Sequence, residues 1–395
     1  MIDVRPPTED DRQEIADLLY VSLNLDRARQ HERLPWMQLQ NFLCAYDGDR
    51  IVATTAVRPF RQWFGGRELS MAGVYAVVTQ PERRGTGLAS RLVAQCLHAA
   101  REQGTSISCL YPATLRPYRN VGFELAGTYT EHRVPLDDLP DLDPELAVDE
   151  YQPADVDAIR ACYRQAVSHH HGPIDCDEED WWPKRILSPA TPSQVGRVVV
   201  VRDGDGVAGY ASFRYAKDAG QLDVSFAVEC QHLVAATPAA LGSLFAYFRG
   251  FRGLGTALEW PGPPVDAAAF LVDEQRVVPA WTFRWMARLL DVPGALESRG
   301  YAPVDGEAVI AVDDAMFADN RGPFHVVADR GKVRVTRTDA KARDPIPIGV
   351  LSSLFTGYVS ARDAARTGVL RVDDDTVAFL SELLAGPAPW MLDWF

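Results

Sequence analysis

The segment Arg83-Arg84-Gly85-Thr86-Gly87-Leu88-Ala89-Ser90 sets two arginines and two glycines directly ahead of an apolar helical pattern. Those residue types in that order suit a pyrophosphate. Glycine leaves backbone N–H groups open to a ligand. The first N–H groups of a helix have no intrahelical partner, and the helix dipole adds positive potential there. The guanidinium groups add charge. The loop is neither the Gly-x-x-x-x-Gly-Lys of a P-loop nor the Gly-x-Gly-x-x-Gly of a dinucleotide site. Taken alone, it could also be an ordinary strand-to-helix turn. About 30 residues on, Tyr118-Arg119-Asn120-Val121-Gly122-Phe123 carries a phenol. With an unperturbed pKa of about 10, Tyr118 is a proton donor at neutral pH. It could equally be a core tyrosine beside Gly122 and Phe123.

The elements around the loop must position it. Residues 72–79 are rich in Val and Tyr, as a buried strand should be. From Leu88, the positions Leu92, Cys96 and Ala100 recur every four residues with Val93 and Leu97 beside them, which predicts an amphipathic helix ending near Gly104. Residues 106–110 form the next apolar strand, ahead of Tyr111-Pro112-Ala113-Thr114.

At 395 residues, with 47% apolar and 24% charged content, the chain has the composition of a globular protein of two or three domains. No run approaches the ~20 apolar residues of a membrane span, and the start lacks the pattern of a signal peptide. Cys44, Cys96, Cys109, Cys162, Cys176 and Cys230 include no Cys-x-x-Cys pair, so buried thiols in a reducing cytoplasm are expected. The net charge of −14 argues against a nucleic-acid partner. Fourteen acidic residues and two arginines between Asp137 and Asp180 supply −12 of it, so it reads as a solvated acidic surface. His169-His170-His171, with Asp175, Cys176 and Asp177 following, has metal-ligand residue types. Adjacent histidines point in different directions and Gly172-Pro173 marks a loop, so no metal is expected. No Gly-x-Ser-x-Gly elbow of a hydrolase occurs.

Three units are expected, at 1–150, 151–286 and 287–395. The first opens with Thr8 as a helix cap before Ile15, Leu18 and Leu19, has strands at 41–46 and 51–59, and closes in an Asp- and Pro-rich linker at 136–153. The second repeats a similar order: helix 156–167, strands 197–201, 207–215 and 221–227, and helix 238–248. Its turn, Ala235-Ala236-Thr237-Pro238, has no glycine or arginine, so it should hold no pyrophosphate. The third combines a short helical segment at 286–296, strands at 308–312, 323–328 and 333–337, and helices at 348–361 and 373–384, an α+β pattern.

Arg-x-x-Gly-x-Ala followed by Tyr-x-x-x-Gly-Phe resembles the GCN5-related N-acetyltransferase (GNAT) superfamily. The whole chain is similar to one family within it, the enhanced intracellular survival (Eis) acetyltransferases. The further markers are Arg288-Leu289-Leu290-Asp291-Val292-Pro293 and the final Phe395. The resemblance implies two tandem GNAT-type α/β domains, the second degenerate, then a sterol-carrier-protein-like α+β domain, assembled as a homohexamer. It implies acetyl-CoA as cosubstrate, held by Val77, Val78 and Thr79, by Arg84, Gly85, Thr86, Gly87, Leu88, Ala89 and Ser90, and by Ala113 and Thr114. It implies direct transfer to a primary amine (an aminoglycoside, polyamine or lysine-like acceptor), with Tyr118 as general acid and the Phe395 carboxylate as base. Five of the last six residues are apolar, so the tail should be packed in protein, either at the site or as a plug of the third unit's own core. Trp394 departs from the acidic cleft of aminoglycoside-acetylating members, and Asp26 and Trp36 are candidates for reaching that cleft. The competing expectation is a CoA- or lipid-binding scaffold without turnover.

Overall fold

The computed structural model describes residues 2–23, 37–191, 194–204, 206–218, 223–342 and 344–395. Asp26 and Trp36 lie outside them. In the first unit, β1 (Ile2–Arg5), α1 (Arg12–Leu23), β2 (Phe42–Asp47), β3 (Arg50–Phe64) and β4 (Arg67–Thr79) precede the loop. After it come α2 (Leu88–Glu102), β5 (Ile107–Leu110), α3 (Arg116–Arg119) and β6 (Glu124–Pro135). The second unit holds β7 (Ala147–Glu150), α4 (Val156–Val167), β8 (His171–Asp175), β9 (Gly196–Asp203), β10 (Gly206–Lys217), β11 (Phe226–Ala235), α5 (Pro238–Arg249), β12 (Gly255–Gly262) and β13 (Val278–Leu289). The third holds α6 (Val292–Ser298), β14 (Gly306–Asp313), β15 (Gly322–Asp329), β16 (Lys332–Arg337), β17 (Ile346–Pro347), α7 (Ile348–Thr356), α8 (Ala361–Arg366) and α9 (Asp374–Leu383).

The first two units share one sheet. Its order is β1-β2-β3-β4-β5-β13-β6-β12-β11-β10-β9-β7, with β8 against β3. Strand β13 therefore enters between β5 and β6, pairing Met286 with both Leu110 and Leu125. Alternation along the central strands sends side chains to two cores. Ala72, Val74, Leu110 and Met286 pack with Val93 and Leu97 of α2, and with Tyr118 and Phe123. Met71, Cys109, Trp285 and Ala287 face the other way, toward α4, α7 and the tail. On the opposite, α2-bearing face the third unit docks through a buried ion pair. Arg288 Nη2 donates to both Asp314 oxygens at 2.7 and 2.9 Å, and Nη1 donates to the Val121 carbonyl at 2.6 Å.

Several sequence expectations need correction. The stretch 136–153 is no free linker: Leu136 and Leu139 are buried in the second unit's core, and β7 pairs with β9 at the sheet edge. Short acidic edge strands resist further pairing, and that composition looks like a linker. Of the strand expected at 221–227, residues 221 and 222 lie outside the described residues, and the strand seen is β11, from Phe226 onward. The segment 286–296 is strand up to Leu289 and helical only from Val292. Only Trp285–Leu289 of β13 is buried, on both faces and with Arg288 within it, so no apolar–polar alternation marks its period of two. Residues 348–361 form two helices, because Gly357 (φ 84°) ends α7 and the Ser360 side chain caps α8. Finally, His171 opens strand β8 instead of lying in a loop, and its buried Nδ1–H donates to the Thr356 carbonyl at 3.1 Å.

Candidate active site

Parallel pairing of β4 with β5 ends at Val74 and Leu110, while β4 continues to Thr79 with β3 on its other edge. The two strands part there. Ala76 lies at φ 51° where the β3 register shifts, and its carbonyl accepts the Thr54 hydroxyl at 2.8 Å. That bulge turns the free edge of Val77, Val78 and Thr79 into an unpaired row of peptide groups. Thr79 Oγ1 is buried without a hydrogen-bond partner, which marks a polar place for a ligand.

Below the slot, Pro81–Arg83 makes one 3-10 turn and Gly87 caps α2. Gly85 and Gly87 both lie at φ 80°, and a Cβ at either would meet nothing within 4 Å. The loop is thus held by glycine conformation and not by packing. Thr86 Oγ1 donates to the Arg83 carbonyl at 2.7 Å, and Arg83 pairs with Asp47. The first bond inside α2 runs from Arg91 N–H to the Gly87 carbonyl at 3.0 Å, leaving the N–H groups of Leu88, Ala89 and Ser90 at the helix start. Ser90 Oγ donates to the Pro117 carbonyl at 3.2 Å, tying α2 to the helix that carries Tyr118. Ala113 and Thr114 are exposed just beyond β5, where the chain bends toward α3. Open glycines, unpaired strand groups and a helix N-terminus fit the diphosphate and pantetheine of acetyl-CoA.

Tyr118 belongs to the core that contains Val74, with Val77 packed against it; its ring meets Phe123 edge-on at 6.3 Å. Burial pushes its phenol up to about 12, so it stays protonated. Phe395 lies across the sheet. Its ring sits 4.9 Å from Phe60 and 5.6 Å from Tyr111, and a Cβ at Gly73 would come within 2.9 Å of it. Tyr118 and Phe395 therefore flank the strand divergence from opposite faces.

Sequence reasoning missed what holds the tail. Trp394 stacks on Tyr111 at 3.9 Å and on Trp281 at 5.5 Å, with Tyr129 and Phe283 each at 5.3 Å. The Tyr111 hydroxyl donates to the Asp393 carbonyl at 3.0 Å, and Arg185 donates to that of Trp394. Backbone bonds join Thr128 with Pro389 and Met391, at 3.1 and 3.0 Å. The aromatic density of the last residues was the available signal; partners far away in sequence were not readable. Beside Tyr129 and Trp281, burial and the nearby Glu259 and Glu229 raise the Glu131 carboxyl, with Arg214 opposing.

The second unit repeats the frame without the loop. Parallel pairing of β11 with β12 ends at Glu229 and Glu259. At the corresponding helix start, Thr237 Oγ1 accepts the Ala240 N–H at 3.2 Å. Among the described residues no group of three His, Cys, Asp or Glu side chains is arranged to hold a metal, and no helix is long and apolar enough to cross a membrane.

Known proteins repeat this layout. Acetyltransferase (GNAT) domain families match residues 3–126 and 177–289, and a sterol carrier protein domain family matches 292–392. The crystal structure of a GCN5-related N-acetyltransferase from Anabaena variabilis superposes with a TM-score of 0.93 at 27% identity, covering 100% of both chains. A Streptomyces griseus protein described as an uncharacterized N-acetyltransferase is 28% identical over 377 residues, 89% of this chain and 88% of that one. The N-acetyltransferase Eis of Mycobacterium tuberculosis is 38% identical over 92 residues, 23% of this chain and 21% of its own. Two GNAT domains followed by a sterol carrier protein domain define a GCN5-related N-acetyltransferase that uses acetyl-CoA. Within that class the chain is an Eis-like N-acetyltransferase.

Proposed function

We propose that the protein transfers the acetyl group of acetyl-CoA directly to a primary amine in a ternary complex. The observation that carries this reading is the placement of Tyr118 and Phe395 on opposite faces of the β4–β5 divergence. Val77, Val78 and Thr79 bind the pantetheine arm, and their peptide groups polarise the thioester carbonyl. Arg84, Gly85, Thr86, Gly87, Leu88, Ala89 and Ser90 hold the pyrophosphate, and Ala113 and Thr114 border the slot. The bound cosubstrate supplies the activated acyl group. In a chain ending at Phe395, its α-carboxylate accepts a proton from the acceptor ammonium. The freed nitrogen forms the C–N bond as the C–S bond breaks, and the Tyr118 hydroxyl gives its proton to the departing sulfur. The nitrogen's surplus proton returns through solvent to the Tyr118 phenolate, and the Phe395 carboxyl releases its own to solvent.

A covalent acyl-cysteine route is unfavourable. All six cysteines are unpaired and burial raises every thiol, Cys96 to about 12, so none is an available thiolate at neutral pH. The acceptor is read as a primary amine, be it an aminoglycoside, a polyamine or a lysine side chain. The working form is read as a cytoplasmic homohexamer.

Extending the chain by several residues after Phe395 removes the terminal carboxylate from its place. Turnover, followed by thiol release with a panel of such amines, should fall by about 10²–10⁴-fold while the KM for acetyl-CoA holds. Undiminished transfer would refute the carboxylate base. Tyr118→Phe should lower kcat by a similar order at unchanged CoA affinity; loss of CoA binding instead would make Tyr118 a packing residue.

A further inference from the structure

The second unit has lost its phosphate loop but keeps a buried polar chain that serves no core of its own. Tyr210 on β10 and His232 on β11 meet through the Tyr210 hydroxyl and His232 Nδ1 at 2.7 Å. The other ring nitrogen, Nε2, lies 3.0 Å from Asp393 Oδ1. With Nε2–H donating to the carboxylate and the Tyr210 hydroxyl donating to Nδ1, all three groups are satisfied. His232 is 1% exposed and Asp393 4%, and Tyr163 of α4 stacks on the imidazole at 5.8 Å.

Three features give this chain a direction. His232 lies on β11 beyond Glu229, where β11 has left β12; this is the same stretch that carries the pantetheine row on β4 in the first unit. Arg185, from the turn Trp181–Ile186, reaches the next tail residue and donates to the Trp394 carbonyl. The Arg185 carbonyl in turn accepts from Gln231 on β11 at 2.7 Å. The second unit therefore grips Asp393 by its side chain and Trp394 by its backbone, while Tyr111 and Trp281 clasp the Trp394 ring. Phe395 is the next residue. A buried aspartate that loses its donor is costly, so the tail has one favoured seat.

We propose that the degenerate unit acts as a latch: the Tyr210–His232–Asp393 chain, with Arg185, fixes the tail so that Phe395 meets the first unit's strand divergence. His232 and Asp393 are positioning residues, since neither touches the reacting atoms. The proposal rests on the reading of Phe395 as base for its effect on rate, but not for its effect on the tail.

The test uses the 395-residue chain with His232→Ala, Asp393→Asn and, for rescue, His232→Gln, which restores an N–H donor. Carboxypeptidase should release Phe395 and Trp394 from His232→Ala and Asp393→Asn about tenfold or more faster than from the parent, because release follows the population of the open tail. The kcat for amine acetylation should fall about 10–10²-fold with the KM for acetyl-CoA within about twofold, as small misplacements of a reacting group cost that much. His232→Gln should recover most of both. Faster release with undiminished kcat leaves the latch standing and removes Phe395 as base. Release at the parental rate in both variants overturns the latch, whatever the turnover. A global loss of fold would show as a raised KM for acetyl-CoA and a lower melting temperature in His232→Gln as well, and would also overturn it.

Discussion

The two GNAT-type units differ most at one corner. In the first, β4 runs into Arg84-Gly85-Thr86-Gly87, open glycines at φ 80° ahead of α2. In the second, β11 runs into Ala236-Thr237-Pro238, where the threonine hydroxyl caps the first turn of α5. Both helix starts carry the same dipole, but α5 begins with Pro238, which has no N–H to offer. The glycine corner leaves its N–H groups open, whereas the other bonds the Ala240 N–H to the Thr237 hydroxyl. On the proposed reading, the residues leading into the helix make the phosphate site, and the helix end alone does not. The second unit contributes surface: its strands complete the shared sheet, its α4 packs into the core that also holds the tail, and His232 and Arg185 bond to Asp393 and Trp394.

The strongest way to break this contrast is to place the same charge at both corners. Gly87→Asp sets a carboxylate against the diphosphate and demands an unfavourable left-handed backbone from an L-residue. Repulsion of several kcal/mol should raise the KM for acetyl-CoA by about a hundredfold or more. Thr237→Asp replaces one good cap with another and should leave that KM within about twofold. An equal rise in both would mean that the second corner binds the cosubstrate.

Much of the first corner was legible from residue types, because local chemistry decides it. Loop glycines, the period-four face of α2 and the Tyr118–Phe123 motif each act within a few residues of themselves. The missing tryptophan clasp is a different kind of object. Trp394 meets Tyr111, Tyr129 and Trp281, residues brought together only because β13 crosses back between β5 and β6. No short-range pattern announces such a crossing. The same insertion explains why 286–289 read as helix: a strand covered on both faces loses its alternation. His171 departs for the converse reason. Gly172-Pro173 suggested a loop, whereas its place in β8 makes it a buried hydrogen-bond donor.

That histidine offers a second contrast, between a first-unit loop open to solvent and a closed seam joining the second and third units. Burial, with Arg299 adding to it, holds the His171 imidazole down to about 3. In the unfolded chain it titrates near 6.5, so between those values the unfolded state binds a proton that the folded state refuses. Stability is therefore unaffected above pH ~6.5 and falls by about 1.4 kcal/mol per unit as the pH drops below it. Melting temperatures of the parent and His171→Gln, compared at pH 7.5 and 5.5, should show a steeper loss in the parent by roughly 2–4 °C. Parallel losses would show that the seam does not titrate.

The smallest expected effect probes the cap that replaced the loop. Thr237→Ala removes the acceptor for the Ala240 N–H and should cost about 1 kcal/mol, a few degrees of melting temperature at most. Pro238 still presets the first helical residue, so α5 should persist, and Phe245 and Phe248 should keep it docked through their burial. The KM for acetyl-CoA and the kcat should stay at parental values, because the capped corner faces no substrate. If Thr237→Ala instead changes either constant while the melting temperature holds, the hydroxyl is doing more than closing a helix. The two corners would then be less different than their glycines suggest.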